Sequence, residues 1–483
     1  MAKSIMIQGT GSNVGKSMLV AGLARAYRNR GLKVAPFKPQ NMSNNACVTV
    51  DGGEIGRAQA LQAHAAGVEP TVHMNPVLLK PESDIGAQVI VQGQRFATLK
   101  ARDYGKMKNQ LLPKVMQSFT RIAADADIVL VEGAGSPAEI NLRNGDIANM
   151  GFAQAANIPV VLLGDIERGG VIAQIVGTKS VLSTEDESRI KSFIINKFRG
   201  DPALFDDGIS EIQTRTNWPS LGVLPWFEDS WKLPGEDVMD IASSPGGPIK
   251  IAVPRLGRIA NFDDLDPLKC EPLVSLEIIN PGQPLPGDAQ LILIPGSKST
   301  IADLANFRAN GWDIDLAAHI RRGGHVLGLC AGYQMLGSEI SDPDGIEGPV
   351  TTTQGLGHLD VKTTMSPQKN LSITHATYQP TGDQVSGYEI HIGETRGPDC
   401  ANAWLLVGKR DISAASPNGH IKGCYLHGLF SCDGFRRSFL DSFGARSNAP
   451  GYLDTVEKTL DKLAAHLEQH LDVDRLYALA ADV

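Results

Sequence analysis

Val326-Leu-Gly-Leu-Cys330-Ala-Gly-Tyr-Gln-Met-Leu336 sets one cysteine between two glycines. An apolar run climbs to Cys330, and a helix-like pattern starts directly after it. This is the sequence form of a nucleophile elbow: strand, sharp turn, helix. Gly328 and Gly332 leave room for a strained turn that presents the thiol. A thiol at a helix start faces free N–H groups and the positive end of the helix dipole, which favour the thiolate. A lone cysteine in an apolar strand is ordinarily a core residue. The flanking glycines and a later histidine favour the catalytic reading.

Downstream, Gly423-Cys-Tyr-Leu-His427-Gly-Leu-Phe430 places His427 at the end of a short apolar run, where a base for Cys330 is expected. His391, in Tyr388-Glu-Ile-His391-Ile-Gly393-Glu394, is its rival. Upstream, Leu291-Ile-Leu-Ile-Pro-Gly296-Ser297-Lys298 reads as a buried strand ending in a turn. The Gly296 N–H there, opposite that of Ala331, suits an oxyanion hole. Asp263 and Asp264, in Asn261-Phe-Asp-Asp-Leu265, read as a helix start. Val456, Leu460, Leu463 and Leu467 recur at helical spacing, so the tail is an amphipathic helix packed on a core.

The first half opens on a buried strand, Ser4 to Gln8, which runs into Gly9-Thr-Gly-Ser-Asn-Val-Gly15-Lys16-Ser17 and then a helix. Such a turn cradles phosphates with its backbone, so Gly9, Thr10, Gly11, Asn13, Val14, Gly15, Lys16 and Ser17 are expected to bind ATP. Lys16 would reach the terminal phosphates, and the Ser17 hydroxyl would meet Mg²⁺. The loop is one residue longer than the usual G-x4-G-K-[ST] spacing. Asp127-Ile-Val-Leu-Val-Glu132 is a central parallel strand whose terminal Glu132 falls where Mg²⁺ is held. Asp51, in Asp51-Gly-Gly-Glu54, is either a further Mg²⁺ ligand or an ordinary turn acid. Asn196-Lys197 ends another strand and is placed near the nucleotide base. Lys38 and Asn41 in Lys38-Pro-Gln-Asn-Met-Ser-Asn-Asn45, with Lys80 and Arg168, are candidate contacts for an anionic substrate. Lys197 and Arg199 belong to the same basic set.

Strands alternating with helices imply a doubly wound parallel sheet. A Ser/Gly/Pro-rich linker, 241–248, divides the chain into 1–240, 249–440 and a helical tail, 441–483. With 483 residues, more than one core is required. The net charge of −8 argues against a nucleic-acid surface. No apolar run reaches membrane length, and no signal-peptide segment precedes the first strand, so a soluble cytoplasmic protein is expected. Six cysteines form no CxxC pair, which fits reduced thiols.

The second half resembles class I glutamine amidotransferases, in which the cysteine of G-x-C-x-G attacks the carboxamide of glutamine and releases ammonia. The first half resembles dethiobiotin synthetase, with the same longer phosphate loop and a Val-Glu-Gly-Ala-Gly strand end. The two in this order are similar to the cobyrinic acid amidases. The resemblance implies two α/β domains, the first P-loop NTPase-like and the second flavodoxin-like. It also implies ATP, Mg²⁺ and glutamine as reactants, with a corrinoid as substrate. The blocks Phe37 to Asn45, Val131 to Asn141, Tyr388 to His391 and Tyr425 to Gly428 match the member that amidates the b, d, e and g carboxylates of adenosylcobyrinic acid a,c-diamide. An enzyme making the a,c-diamide itself would share these parts, and a partitioning-type ATPase would share the first half alone. Class I enzymes usually carry Glu two residues after the histidine, where this chain has Leu429. The cobyrinic acid amidases share that lack. Glu389, Glu394 or a backbone carbonyl is left to orient His427.

Overall fold

Strands buried on both faces need apolar residues throughout, and the first half supplies them in series. They are β1 (Lys3–Gly9), β2 (Val34–Phe37), β3 (Ile128–Glu132), β4 (Val160–Asp165), β5 (Ile190–Phe198) and β6 (Ser220–Pro225). The helices α1 (Lys16–Asn29), α2 (Arg57–Ala66) and α3 (Val171–Val181) lie between them in sequence. The strands form one parallel sheet in the order β6-β5-β4-β1-β3-β2. The order reverses at β1, and in such sheets ligands bind beyond the carboxyl ends at the reversal point. That end carries Gly9 to Ser17 after β1, Lys38 after β2 and Glu132 at the end of β3.

The structure is a computed structural model that describes residues 1–81, 86–236, 241–408, 410 and 412–483. It divides into two compact units that do not follow chain order. The first is Met1–Ser43, Thr49–Glu236 and Val456–Val483; the second is Asn44–Val48 and Asp237–Thr455.

The second unit is built from β7 (Ile249–Pro254), β8 (Val274–Ile279), β9 (Leu291–Ile294), α4 (Thr300–Ala309), α5 (Trp312–Arg321), β10 (His325–Leu329) and α6 (Ala331–Leu336). Then follow β11 (Glu339–Asp342), β12 (Thr351–Gln354), β13 (Lys362–Tyr378), β14 (Gln384–Arg396), β15 (Ser413–Ala415), β16 (Ile421–Cys424) and β17 (Leu426–His427). The core sheet runs β8-β7-β9-β10-β16-β15. All its pairs are parallel except β15 with β16, so its first five strands have the flavodoxin-like order 2-1-3-4-5. A second sheet runs β12-β11-β13-β14-β17. Only Tyr425 separates β16 from β17, so the chain leaves the core sheet there and sets His427 directly opposite Tyr388 of β14.

The tail, expected as one helical segment from 441, is shared between the units. Its helices are α7 (Tyr452–His470) and α8 (Val473–Leu479), and Ala481–Asp482 closes the chain as a short strand antiparallel to the start of β1. Val456, Leu460, Leu463 and Leu467 are all buried. Leu463 and Leu467 press so closely on Gly22 of α1 that a Cβ there would stand 2.5 Å from a Leu467 methyl. Arg25 of α1 meets Glu457 at 2.5 Å, and Arg30 meets Glu468 at 2.8 Å. Leu463→Ala leaves a cavity against α1, and a loss of about 2–5 kcal/mol is expected. A lower urea midpoint for the first unit, followed by its own fluorescence or exchange probes, checks this.

Candidate functional site

In the second unit, β10 delivers the chain to Cys330 and α6 leaves from it. Cys330 takes φ 52° and ψ −107°, a strained conformation for a residue with a side chain. Its glycine neighbours are explained by packing. A Cβ on Gly328 would stand 2.6 Å from the Gly332 carbonyl, and one on Gly332 would overlap the Ile294 carbonyl of β9. The strain therefore falls on Cys330, and its N–H is held by the Cys424 carbonyl at 2.8 Å. Cys330 is buried, and its thiol lies 3.8 Å from the Ile390 carbonyl. Ala331 begins α6, so its N–H has no carbonyl one turn earlier in the helix to receive it.

His427 is fully buried. Its Nδ1 meets Asp264 Oδ2 at 2.7 Å, and the other oxygen of Asp264 accepts the Gly428 N–H at 2.6 Å. Asp264 stands in a 3₁₀ turn, Phe262–Leu265, that starts from Asn261 in a left-handed conformation (φ 52°). The Asn261 amide reaches 3.5 Å from His427 Nε2. Gly296 lies against the same ring; a Cβ there would be 3.1 Å from His427 Cε1. Burial disfavours the charged ring, but the Asp264 carboxylate beside it and the Cys330 side chain outweigh this, and the His427 pKa is raised to about 10.

The group at His427 Nδ1 is therefore the Asp264 carboxylate and not a backbone carbonyl, and the two glutamates left by the sequence lie elsewhere. Glu389 faces away, to Thr374 (2.6 Å), Arg410 (2.8 Å) and His391 (3.4 Å). Glu394 is exposed and pairs with Arg396. The rival base, His391, stacks on Tyr425 with ring centroids 3.8 Å apart. Asp264 was not legible as an orienting acid because it precedes His427 by most of a domain. Its residue type and its turn position gave no sign of the partner.

In the first unit, Gly9 to Gly15 wrap over the start of α1. Gly15 is left-handed (φ 98°), and a Cβ on it would overlap the Asn196 amide. Thr10 receives the Leu163 carbonyl through its N–H (2.9 Å). Gly11, with Gly135, accepts from Lys16 Nζ at 2.9 and 3.2 Å. Asn196 Nδ2 donates to the Val14 carbonyl (2.8 Å), and Lys197 Nζ reaches the Asn13 carbonyl (2.6 Å) and Asp165 (2.8 Å). Both residues thus brace the loop.

Ser17 Oγ donates to Glu132 at 2.7 Å and also touches Glu236. Lys38 Nζ bridges the same two carboxylates, at 2.7 and 2.8 Å. Burial opposes its charge, but Glu132 and Glu236 hold Lys38 above the ordinary lysine range. Glu236 is half-buried, and Lys38 and Ser17 keep its carboxyl below the usual carboxylate range against the cost of desolvation. Gln62 and Gln59, one turn apart on α2, donate to Glu132 at 2.6 and 3.4 Å, and Asn41 supports Gln59 at 2.9 Å. Glu236, Gln59 and Gln62 were not singled out in the sequence; they come from a polar loop and an ordinary helix face.

Three expected residues sit apart from this cluster. Asp51 is exposed, and its carboxylate receives the Val72 N–H at 3.2 Å. Among the described residues nothing joins it to Ser17 or Glu132. Lys80 is buried in an ion pair with Glu54 at 2.7 Å. Arg168 is exposed and makes no ion pair among the described residues. Among those residues no group of three or more His, Cys, Asp or Glu side chains is arranged as a metal site, and no helix is long and apolar enough to cross a membrane.

Residues 5–240 match the model of the CobQ/CobB/MinD/ParA nucleotide binding domain, and residues 250–435 match that of the CobB/CobQ-like glutamine amidotransferase domain. The first description also names MinD and ParA, and the amidotransferase domain that follows does not favour reading the chain as an ATPase switch alone. The chain is a glutamine-dependent amidating ligase. It is 63% identical over 478 residues to a cobyric acid synthase of Ruegeria sp. (strain TM1040), covering 99% of both chains. It is 61% identical to one of Rhodobacter capsulatus, again over 99% of both, and 60% identical to one of Bradyrhizobium diazoefficiens, over 99% of this chain and all of the relative. The chain belongs to the cobyric acid synthase family.

Asp264→Asn keeps the shape of the turn but removes the charge facing His427. Glutamine hydrolysis is expected to fall by about 100-fold or more, as when a triad acid is neutralised, while Glu394→Gln leaves it within about twofold. The sign of the pH effect follows from the raised pKa. The His427–Asp264 pair contributes its full stability below pH 6.5 and loses it as pH rises through about 10. Thermal unfolding of the second unit between these pH values should show a decline that Asp264→Asn flattens.

Proposed function

We propose that this chain amidates the b, d, e and g carboxylates of adenosylcobyrinic acid a,c-diamide, using ATP and ammonia drawn from glutamine, late in cobalamin synthesis. The observation that carries this reading is one chain holding both a strained cysteine elbow beside an ion-paired histidine and a phosphate loop beside a buried lysine–carboxylate cluster. Neither centre suffices alone. A carboxylate is a poor acyl donor until its oxygen becomes a leaving group, and ammonia is mostly protonated at neutral pH unless released locally.

At the second unit, Cys330 Sγ attacks the glutamine carboxamide carbon. The oxyanion forms between the N–H groups of Gly296 and Ala331. His427, charged because Asp264 faces it, gives its proton to the departing nitrogen, and ammonia leaves with a thioester on Cys330. The neutral ring then takes a proton from water, whose oxygen attacks the thioester and frees glutamate and the thiolate.

At the first unit, the corrin carboxylate attacks the γ-phosphorus of ATP, and ADP departs. Lys16 leaves the Gly11 and Gly135 carbonyls to follow the phosphate oxygens, while Lys38 exchanges Glu236 for the incoming carboxylate. The hydroxyl of Ser17 and the carboxylate of Glu132, 2.7 Å apart, are hard oxygen donors suited to Mg²⁺. When bound, Mg²⁺ would offset charge on the β- and γ-phosphate oxygens. Asn196 and Lys197 shape the loop from below, so their part in nucleotide binding is through its backbone. Ammonia displaces phosphate from the acyl phosphate to give the amide. The substrate is anionic and the protein is net acidic, so local cations must receive it; the exposed Arg168 is one candidate, and Lys38 is another once the incoming anion displaces Glu236 from it. Lys80, paired with Glu54, is a weaker one.

Cys330→Ala is expected to abolish glutamine-dependent amidation and to keep amidation from ammonium salts at alkaline pH, where free ammonia is abundant. Lys16→Ala should abolish amidation from either donor while glutamine hydrolysis persists. Product formation by chromatography and glutamate release measure the two halves. Loss of both activities in Cys330→Ala would assign Cys330 a structural role.

A further inference from the structure

The turn that supplies Asp264 also supplies Asp263, which grips a different partner. Tyr388 Oη donates to the Asp263 carboxylate, at 2.9 and 3.2 Å from its two oxygens. Tyr388 and His427 face each other across the antiparallel pair of β14 and β17. Their rings lie nearly parallel, 18° apart, with centroids separated by 5.3 Å. Cross-strand neighbours in such a pair share one face of the sheet. The His427 ring is thus bounded by Asp264 at Nδ1, the Asn261 amide near Nε2, the Gly296 backbone at Cε1 and the Tyr388 ring over its face. No part of the chemistry described above uses Tyr388.

We propose that Tyr388, anchored by Asp263, is a positioning residue that fixes the plane of the His427 ring and favours its charged form. An aromatic face attracts a cation through its quadrupole, and a phenol that donates to a carboxylate presents a more electron-rich face. The elements around His427 bring a defined set of ionisable groups. These are Asp263 and Asp264 on the turn, Cys330 at the head of α6, Tyr388 on β14 and Cys424 at the end of β16. Gly296 brings only backbone, and Glu389 points to the opposite side of β14. Tyr388 is the member of this set that meets the ring face. The turn Asn261–Leu265 thereby does with three side chains what one glutamate after the histidine does in other amidotransferases. The proposal rests on the roles given above to Cys330 and His427.

The test uses the full-length protein and iodoacetamide, with modification of Cys330 followed by peptide mass spectrometry across pH. In Tyr388→Leu the inflection of the alkylation profile moves up by about one pH unit. The kcat for glutamine hydrolysis falls about tenfold, and KM stays within about threefold. Tyr388→Phe keeps the ring but releases Asp263, and falls between Tyr388→Leu and the parent. A Tyr388→Leu protein with parental melting and an unmoved inflection overturns the proposal. Should that variant fail to fold, Tyr388→Phe decides: an inflection and kcat equal to the parent's overturn it. A Cys330→Ala protein that still hydrolyses glutamine overturns the underlying reading instead.

Discussion

A buried histidine serves beside a thiol only if something charged holds it there, and in this chain that is Asp264. The carboxylate lies 2.7 Å from His427 Nδ1 in a fully buried setting. Removing two partners from water is costly, so the pair persists because its remaining valences are met. Gly428 N–H takes the second oxygen of Asp264, and the loop of Gly296 closes the ring's other edge. Much of the second unit is arranged to permit this contact. The chain steps from β16 to β17 over one residue, and Asn261 turns left-handed to aim the acids at the histidine. Gly428, also left-handed (φ 78°), leaves the histidine at a strand end.

The first unit shows a parallel economy. Glu132 ends a strand buried along its whole length. Ser17, Lys38, Gln59 and Gln62 come to it from a helix start, a strand end and a second helix. Lys38 is shared between Glu132 and Glu236, so one cation faces two carboxylates near the phosphate loop. An incoming phosphate or carboxylate would compete with Glu236 for the same lysine and hydroxyl.

What the sequence disclosed and what it hid divide along one line. Features encoded by consecutive residues were legible: the elbow at Cys330, the loop from Gly9 to Ser17, the buried strand ending at Glu132 and the amphipathic tail. Each depends on local period or spacing. Partners that meet only through tertiary folding were not. Asp264 reads as a helix start, Gln59 and Gln62 carry no motif that singles them out, and Lys80 reads as a cation after an apolar run, although it is committed to Glu54. Asp51 sits in a turn rich in glycine and acid, yet its carboxylate serves the Val72 N–H. The family resemblance supplied the chemistry, but it could not name the group behind His427, because the usual glutamate is absent and its replacement comes from another part of the chain.

The central claim is that nitrogen released at Cys330 ends on four corrin carboxylates activated beside the phosphate loop. It is tested most directly by mass spectrometry of the a,c-diamide incubated with the enzyme, ATP, Mg²⁺ and glutamine labelled with ¹⁵N in its amide. The mass is expected to settle at a product with the b, d, e and g positions amidated and ¹⁵N in each. A plateau short of that product, or amides without the label, would contradict it.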